Sequence, residues 1–210
     1  MSQVLDALTW RYATKKFDPT QELSEEQVHR IAEAFNLTAT SYGLQPVRLL
    51  IIQDRNLREQ LVSVSMGQRQ VADASHLLLF CIERHIDKDF VDTYFDQVQD
   101  IRDTPTEILQ PFRDHLIERF STDTPEITQI WATKQAYLAM GNLLTVCAME
   151  HIDACPMEGF EPEAYDQLLR LSEKGLRSVL AMPIGYRAED DPFASMRKVR
   201  KPLKDMVINY

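Results

Sequence analysis

Four short segments of the chain carry residue types that could act together on a ligand. Arg11-Tyr12-Ala13-Thr14-Lys15-Lys16 concentrates cations near the N-terminus. Arg197-Lys198-Val199-Arg200-Lys201 does the same near the C-terminus. Between them lie a loop of small hydroxyl residues, Thr40-Ser41-Tyr42-Gly43, and a tight turn, Pro156-Met157-Glu158-Gly159. Guanidinium and ammonium groups satisfy a phosphate. Small hydroxyls and backbone donors satisfy a polyol chain. A turn containing glycine lets the backbone approach a planar ring closely. The sum matches a phosphorylated aromatic cofactor, although any one part alone reads as ordinary surface.

Other chemistries lack their residues. There is no GxGxxG after a strand and no GxxxxGK[ST] loop, so neither nucleotide fingerprint is present. No GxSxG elbow and no HExxH helix occurs. The five histidines are scattered. Cys147 and His151 could share a helix face, but a zinc site needs three or four ligands. A net charge of −9 and a pI near 5.1 repel phosphate backbones, which argues against a nucleic-acid partner. The three cysteines (Cys81, Cys147, Cys155) cannot all pair, and a reduced cytoplasmic protein is expected. The N-terminus does not read as a signal peptide. No apolar run approaches the roughly 20 residues that span a bilayer, so no membrane partner is expected.

The elements that must hold these segments follow from pattern. An amphipathic helix is expected over 2–10. Ser24 with Gln27 reads as a capping box, opening a helix whose apolar face is Val28, Ile31, Ala32, Ala34 and Phe35. Arg48–Gln53 and His76–Ile82 read as buried strands, with a helix over Asn56–Ser65 between them. Residues 87–120 read as two helices broken near Thr104-Pro105. Glu126–Met149 is a long helix, apolar nearly all round, which must be buried on several sides. Either a monomer core or a second subunit could bury it. A helix over Glu161–Leu171 and a buried strand over Ser178–Tyr186 follow, then a polar basic tail. With no repeat and no linker, the expectation is one α+β domain over residues 1–210.

The order of these motifs resembles the nitroreductase family. Arg11-Tyr12-Ala13-Thr14-Lys15-Lys16-Phe17 is similar to its N-terminal Arg-x-Ser/Ala-x-Lys/Arg-x-Phe signature. Thr40-Ser41-x-Gly43-x-Gln45-Pro46 is similar to its Ser-Ser-x-Asn-x-Gln-Pro loop. Asp73-Ala74-Ser75-His76, Gln135, Gly141-Asn142, Pro156–Phe160 and Lys198-Val199-Arg200 match in order. The resemblance implies a central mixed or antiparallel sheet flanked by helices, a long buried central helix and an intertwined homodimer with shared sites. It also implies FMN as cofactor and NAD(P)H as co-substrate, with a small electron acceptor such as a nitroaromatic or quinone. Arg11, Lys198 and Arg200 would hold the FMN phosphate. Tyr12 and Ala13 would line the ribityl chain, and Lys15 the pyrimidine edge. Thr40, Ser41 and Gly43 would reach the FMN of the other subunit. Pro156, Met157, Glu158 and Gly159 would lie along the flavin, with the Glu158 N–H near N5. Gly67, Gln70 and Gln135 would complete the cofactor shell. The family often has Asn where Gly67 and Gly43 stand, so two amide contacts are missing. The flavin N5 would carry the chemistry, with no obligatory side-chain acid or base. The alternatives are a flavin-remodelling or dehalogenating relative of the same fold, or a flavin-binding or dimeric scaffold without turnover.

Overall fold

A computed structural model describes residues 2–210 of the protein. The capping box at Ser24 forms in full: Gln27 N donates to Ser24 Oγ at 3.3 Å, and Ser24 N donates to Gln27 Oε1 at 3.0 Å. It opens helix α2 (Glu25–Asn36), which follows the short helix α1 (Gln3–Trp10). Strands β1 (Val47–Ile52), β2 (His76–Glu83), β3 (Asp153–Ala154) and β4 (Leu176–Gly185) pair in the order β1-β2-β4-β3, each pair antiparallel.

The strand pleat divides the core in two. Leu78, Phe80 and Ile82 of β2 share one side with Leu180, Met182 and Ile184 of β4. Leu77, Leu79 and Cys81 share the other with Ala181. On the first side lie α2 and the long helix α7 (Pro125–Met149), with helices α5 (Lys88–Arg102) and α6 (Thr106–Thr122) beyond. On the second lie α3 (Arg55–Leu61), α4 (Gln70–Asp73) and α8 (Pro162–Leu168), with the Phe17 ring beneath the sheet. A short helix α9 (Leu203–Met206) sits in the tail, which reads from sequence as lacking an element.

Three expectations are corrected. β1 is not a buried strand: Arg48 is exposed and Leu49–Ile51 are only partly covered. It pairs only with β2 and forms the sheet edge, so its apolar run meets protein incompletely. The helix expected over Asn56–Ser65 is α3 plus a separate 3₁₀ turn at Ser63–Ser65. Likewise, the helix expected over Glu161–Leu171 is α8 followed by a 3₁₀ turn at Leu171–Lys174.

α7 is also less covered than its sequence requires. Thr124 caps it, accepting from Ile127 N, and Pro125 occupies its first turn. Ala132, Ala136, Ala139 and Leu143 are buried against the sheet, and α1 and α2 pack along it. Ile127, Ile130, Tyr137 and Leu138 nevertheless remain exposed, Leu138 at 55%. Among the described residues nothing covers this apolar face of the helix.

Candidate functional site

The basic N-terminal segment is strung beside the sheet. Arg11 caps α1, its N–H donating to Ala7 O at 3.0 Å. Ala13 bridges Ala154 of β3 in parallel, and Thr14 N donates to Ala154 O at 3.3 Å. Phe17 bridges Arg187, just past β4. These bonds fix the backbone that carries Arg11, Tyr12 and Lys15. The tail returns to the same place: Lys198 Nζ donates to Arg11 O. Residues Arg11, Tyr12, Ala13 and Lys15 face Lys198 and Arg200 across a pocket of about 520 Å³.

The pocket is strongly positive. Burial, then the charge of Arg200, pulls the Arg11 guanidinium below its usual range. Burial, then Arg11 and Arg200, does the same to Lys198. Among the described residues, none of Arg11, Lys15, Lys198 and Arg200 pairs with a carboxylate, whereas Lys16 is paired with Asp190. Arg11, Lys198 and Arg200, crowded together with no counter-charge among the described residues, form a donor set that fits a phosphate dianion.

From Lys15 the site continues inward. Lys15 Nζ stands 3.7 Å from Cys155 Sγ. Burial pushes that thiol up, opposed by the Lys15 charge and by hydrogen bonds from Lys15 and Gln70. Gln70 is buried and donates to Gln68 Oε1 at 2.9 Å; Gln68 Nε2 in turn donates to Gly159 O at 2.7 Å. The turn after Cys155 is pinned to β4: Cys155 N donates to Pro183 O at 3.0 Å and Met157 N to Ala181 O at 2.8 Å. Those bonds leave Glu158 exposed, and its N–H donates to no acceptor among the described residues. Its carboxylate accepts from Tyr137 Oη of α7 at 2.5 Å. Tyr137, Gly141 and Leu144 face Pro156, Met157 and Glu158 across a second hollow of about 550 Å³. A free backbone donor beside a partly apolar hollow suits one edge of a planar heterocycle.

The hydroxyl loop lies elsewhere. Ser41 N donates to Gln135 Oε1 at 2.9 Å, and Gln135 Nε2 donates to Trp131 O at 3.1 Å. Gln135 therefore spends its amide on joining the loop to α7. Gly43 has φ +76°, and a Cβ there would stand 2.5 Å from the Tyr94 hydroxyl of α5. The residue that reads as a lost amide is thus a glycine that Tyr94 requires. The basic pocket is at the other end of α7, where Trp10 packs edge-on to His151 with centroids 5.1 Å apart. Gln135 and Cys147 are separated by roughly 18 Å along the helix axis, at about 1.5 Å per residue. One chain does not bring Thr40, Ser41, Gly43 and Gln135 to Arg11 and Lys198. Gly67, with φ +70°, sits in the turn before α4 and has open space where a side chain would project.

The sequence model described as the nitroreductase family matches residues 8–186. The chain belongs to the nitroreductase family. A Staphylococcus saprophyticus protein provisionally named an NAD(P)H nitroreductase is 32% identical over 97% of this chain and 95% of its own length. Two solved structures share the nitroreductase fold. One, a nitroreductase-like protein from Streptococcus mutans, is 21% identical with a TM-score of 0.83, covering 98% of this chain and 97% of its own. The other, from Exiguobacterium sibiricum, is provisionally named a nitroreductase and was solved in complex with FMN. It is 18% identical with a TM-score of 0.84, covering all of this chain and 98% of its own.

Against the nitroreductase pattern, several structuring residues were invisible in the sequence. Gln68 joins Gln70 to Gly159. Arg187 lies over the rings of Trp10 and Tyr12, 4.4 and 4.6 Å from their centroids, and its Nε donates to Asp153 at 2.8 Å. Asp191 accepts from three residues of the basic segment. Only Asp190-Asp191-Pro192, a turn-like run after the last strand, could have drawn attention to the last of these. Tyr42, in the hydroxyl loop, has φ +62°, stacks on Trp131 and lies 5.1 Å from the Arg119 guanidinium. Among the described residues, no cluster of His, Cys, Asp and Glu could hold a metal, and no helix is long and apolar enough to cross a membrane.

Proposed function

We propose that this nitroreductase-family chain is an FMN-dependent oxidoreductase that passes hydride from NAD(P)H to small acceptors such as nitroaromatics or quinones in a ping-pong cycle. The observation that carries the reading is the Arg11–Lys198–Arg200 pocket, without a counter-charge among the described residues, whose Lys15 reaches Cys155 at the start of the turn that bears the free N–H of Glu158. It offers a phosphate site at one end and a heterocycle edge at the other. Bound FMN would supply two-electron chemistry at N5. Arg11, Lys198 and Arg200 would hold the phosphate, and Tyr12 and Ala13 the ribityl chain. Lys15 would stabilise negative charge at the pyrimidine edge. Pro156, Met157, Glu158 and Gly159 would line the ring, with the Glu158 N–H directed at N5. Gln70 and Gly67 would stand nearby, Gln70 acting through its bond to Gln68.

The protein acts as a homodimer in this reading, one domain of residues 1–210 from each copy. Two observations favour it: the uncovered apolar face of α7, and the separation of the Thr40–Gly43 loop from the basic pocket within one chain. A partner's Thr40, Ser41 and Gly43 would then complete each site, with Gln135 holding that loop in place. The three unpaired cysteines suit the reducing cytoplasm.

Steady-state oxidation of NADH and NADPH, measured at several fixed concentrations of a quinone or nitroaromatic, tests the reaction. Parallel double-reciprocal lines are expected. Intersecting lines, or no oxidation once FMN is supplied, would remove the ping-pong or the reductase reading respectively.

A further inference from the structure

The two halves of the basic pocket come from opposite ends of the chain, and one carboxylate touches both. Asp191 is only 4% exposed. Its Oδ2 accepts from Lys15 N at 2.9 Å, Lys16 N at 3.2 Å and Tyr12 Oη at 3.0 Å. Its Oδ1 accepts from Phe193 N at 2.9 Å. Beyond it, Ala194 N donates to Asp191 O and Met196 N to Phe193 O, both at 3.1 Å. These turns lead directly into Arg197–Arg200. Burial alone would raise the carboxyl, but the donors from Phe193, Lys15, Lys16 and Tyr12 outweigh it and hold it below its usual range.

We propose that Asp191 is a positioning residue for the cofactor phosphate, setting the distance between the Arg11–Lys15 segment and the Lys198–Arg200 tail. The proposal rests on the FMN reading above. Asp191 does not line the pocket, so it acts through the backbone it holds. An amide at this position could not replace it. With its oxygen facing Lys15, Lys16 and Tyr12, its NH₂ would face the Phe193 N–H, donor against donor, and release the tail.

Electrostatics and positioning oppose each other here. Removing an anion beside a cationic pocket makes the pocket more positive, which by itself tightens phosphate binding. Only a geometric role weakens it. The experiment is fluorescence titration of flavin-free protein with FMN and with riboflavin, which lacks the phosphate, for wild type, Asp191→Asn and Asp190→Asn. Wild type should prefer FMN. In Asp191→Asn that preference should fall roughly ten- to a hundredfold, the loss expected for hydrogen bonds to a charged group, while riboflavin affinity holds. Asp190→Asn, which removes only an exposed partner of Lys16, should keep the preference.

FMN bound by Asp191→Asn as tightly as by wild type, or more tightly, would overturn the proposal. So would equal losses for FMN and riboflavin, which mean a general folding role. A wild type that does not distinguish FMN from riboflavin would sink the phosphate-pocket reading itself, and this proposal with it. Should Asp191→Asn fail to fold, Tyr12→Phe decides, because it removes one donor to the same carboxylate. A fall of roughly two- to tenfold in the FMN preference is expected, and an unchanged preference overturns the proposal.

Discussion

Arg11 shares its pocket with Lys198 and Arg200 and pairs with no carboxylate among the described residues, and its truncation should act on cofactor affinity rather than on chemistry. Arg11→Ala should weaken FMN binding by about 1.5–3 kcal/mol. Hydride transfer per bound flavin, measured by stopped flow at saturating FMN, should stay near wild type. Full FMN occupancy of the variant after dilution and gel filtration would contradict this role. Gly43 gives a second residue-level expectation, this time on stability. Gly43→Ala places a methyl on a φ +76° backbone and into the Tyr94 hydroxyl. A loss of about 1–3 kcal/mol is expected in denaturant unfolding. Adding Tyr94→Phe should recover part of it, by removing the atom that the methyl meets. The clustering of charge was legible at this scale: Arg11, Lys15, Lys198 and Arg200, from opposite ends of the sequence, line one pocket. Asp191 and Gln68 were not. Each is a single polar residue, and the partners of Asp191 in the basic segment lie 175 to 179 positions away. No local pattern encodes such a pairing.

α7 explains why elements were read more easily than their surroundings. Its span was plain from the nearly continuous apolar residues between Glu126 and Met149, and the structure adds only Pro125 at its start. What covers it was not, because a sequence reports apolarity and not the neighbour that satisfies it. β1 shows the same ambiguity, since an apolar run fits an edge strand awaiting cover as well as a central one. The break between α5 and α6 was legible, because Pro105 cannot continue a helix, and Asp103 just before it takes φ +50°. β3, with two residues, is too short to leave a period. The exposed face of α7 carries its own test. Leu138→Glu places a charge on that face while leaving the buried side, with Ala136 and Ala139, untouched. Sedimentation should show a dimer for wild type and a monomer for the variant, and the variant should lose bound FMN because each site would lack its partner's loop. A dimer of undiminished FMN content would place the interface elsewhere.

For the whole molecule, acid sensitivity follows from a buried histidine at the start of β2. His76 shares a hydrogen with Ser75 Oγ at 2.8 Å. Burial, and then the charge of Arg58, holds its imidazole below the usual 6.5. The unfolded chain therefore binds this proton more readily than the folded one. Stability is fully present above about pH 6.5 and is lost as pH falls below it toward the folded-state value. Urea unfolding across this range should show that decline, and His76→Asn should flatten it. An unchanged slope in the variant would assign the decline to other groups.

At the same scale stands the reductase reading itself. The most direct measurement is the visible spectrum of the protein purified without added cofactor, followed by NAD(P)H in the absence of air. Oxidised-flavin bands that bleach with NAD(P)H and return on adding a quinone or nitroaromatic are the predicted result. A colourless protein that also fails to take up added FMN would contradict it, and would return the Arg11–Lys198–Arg200 pocket to some other anion.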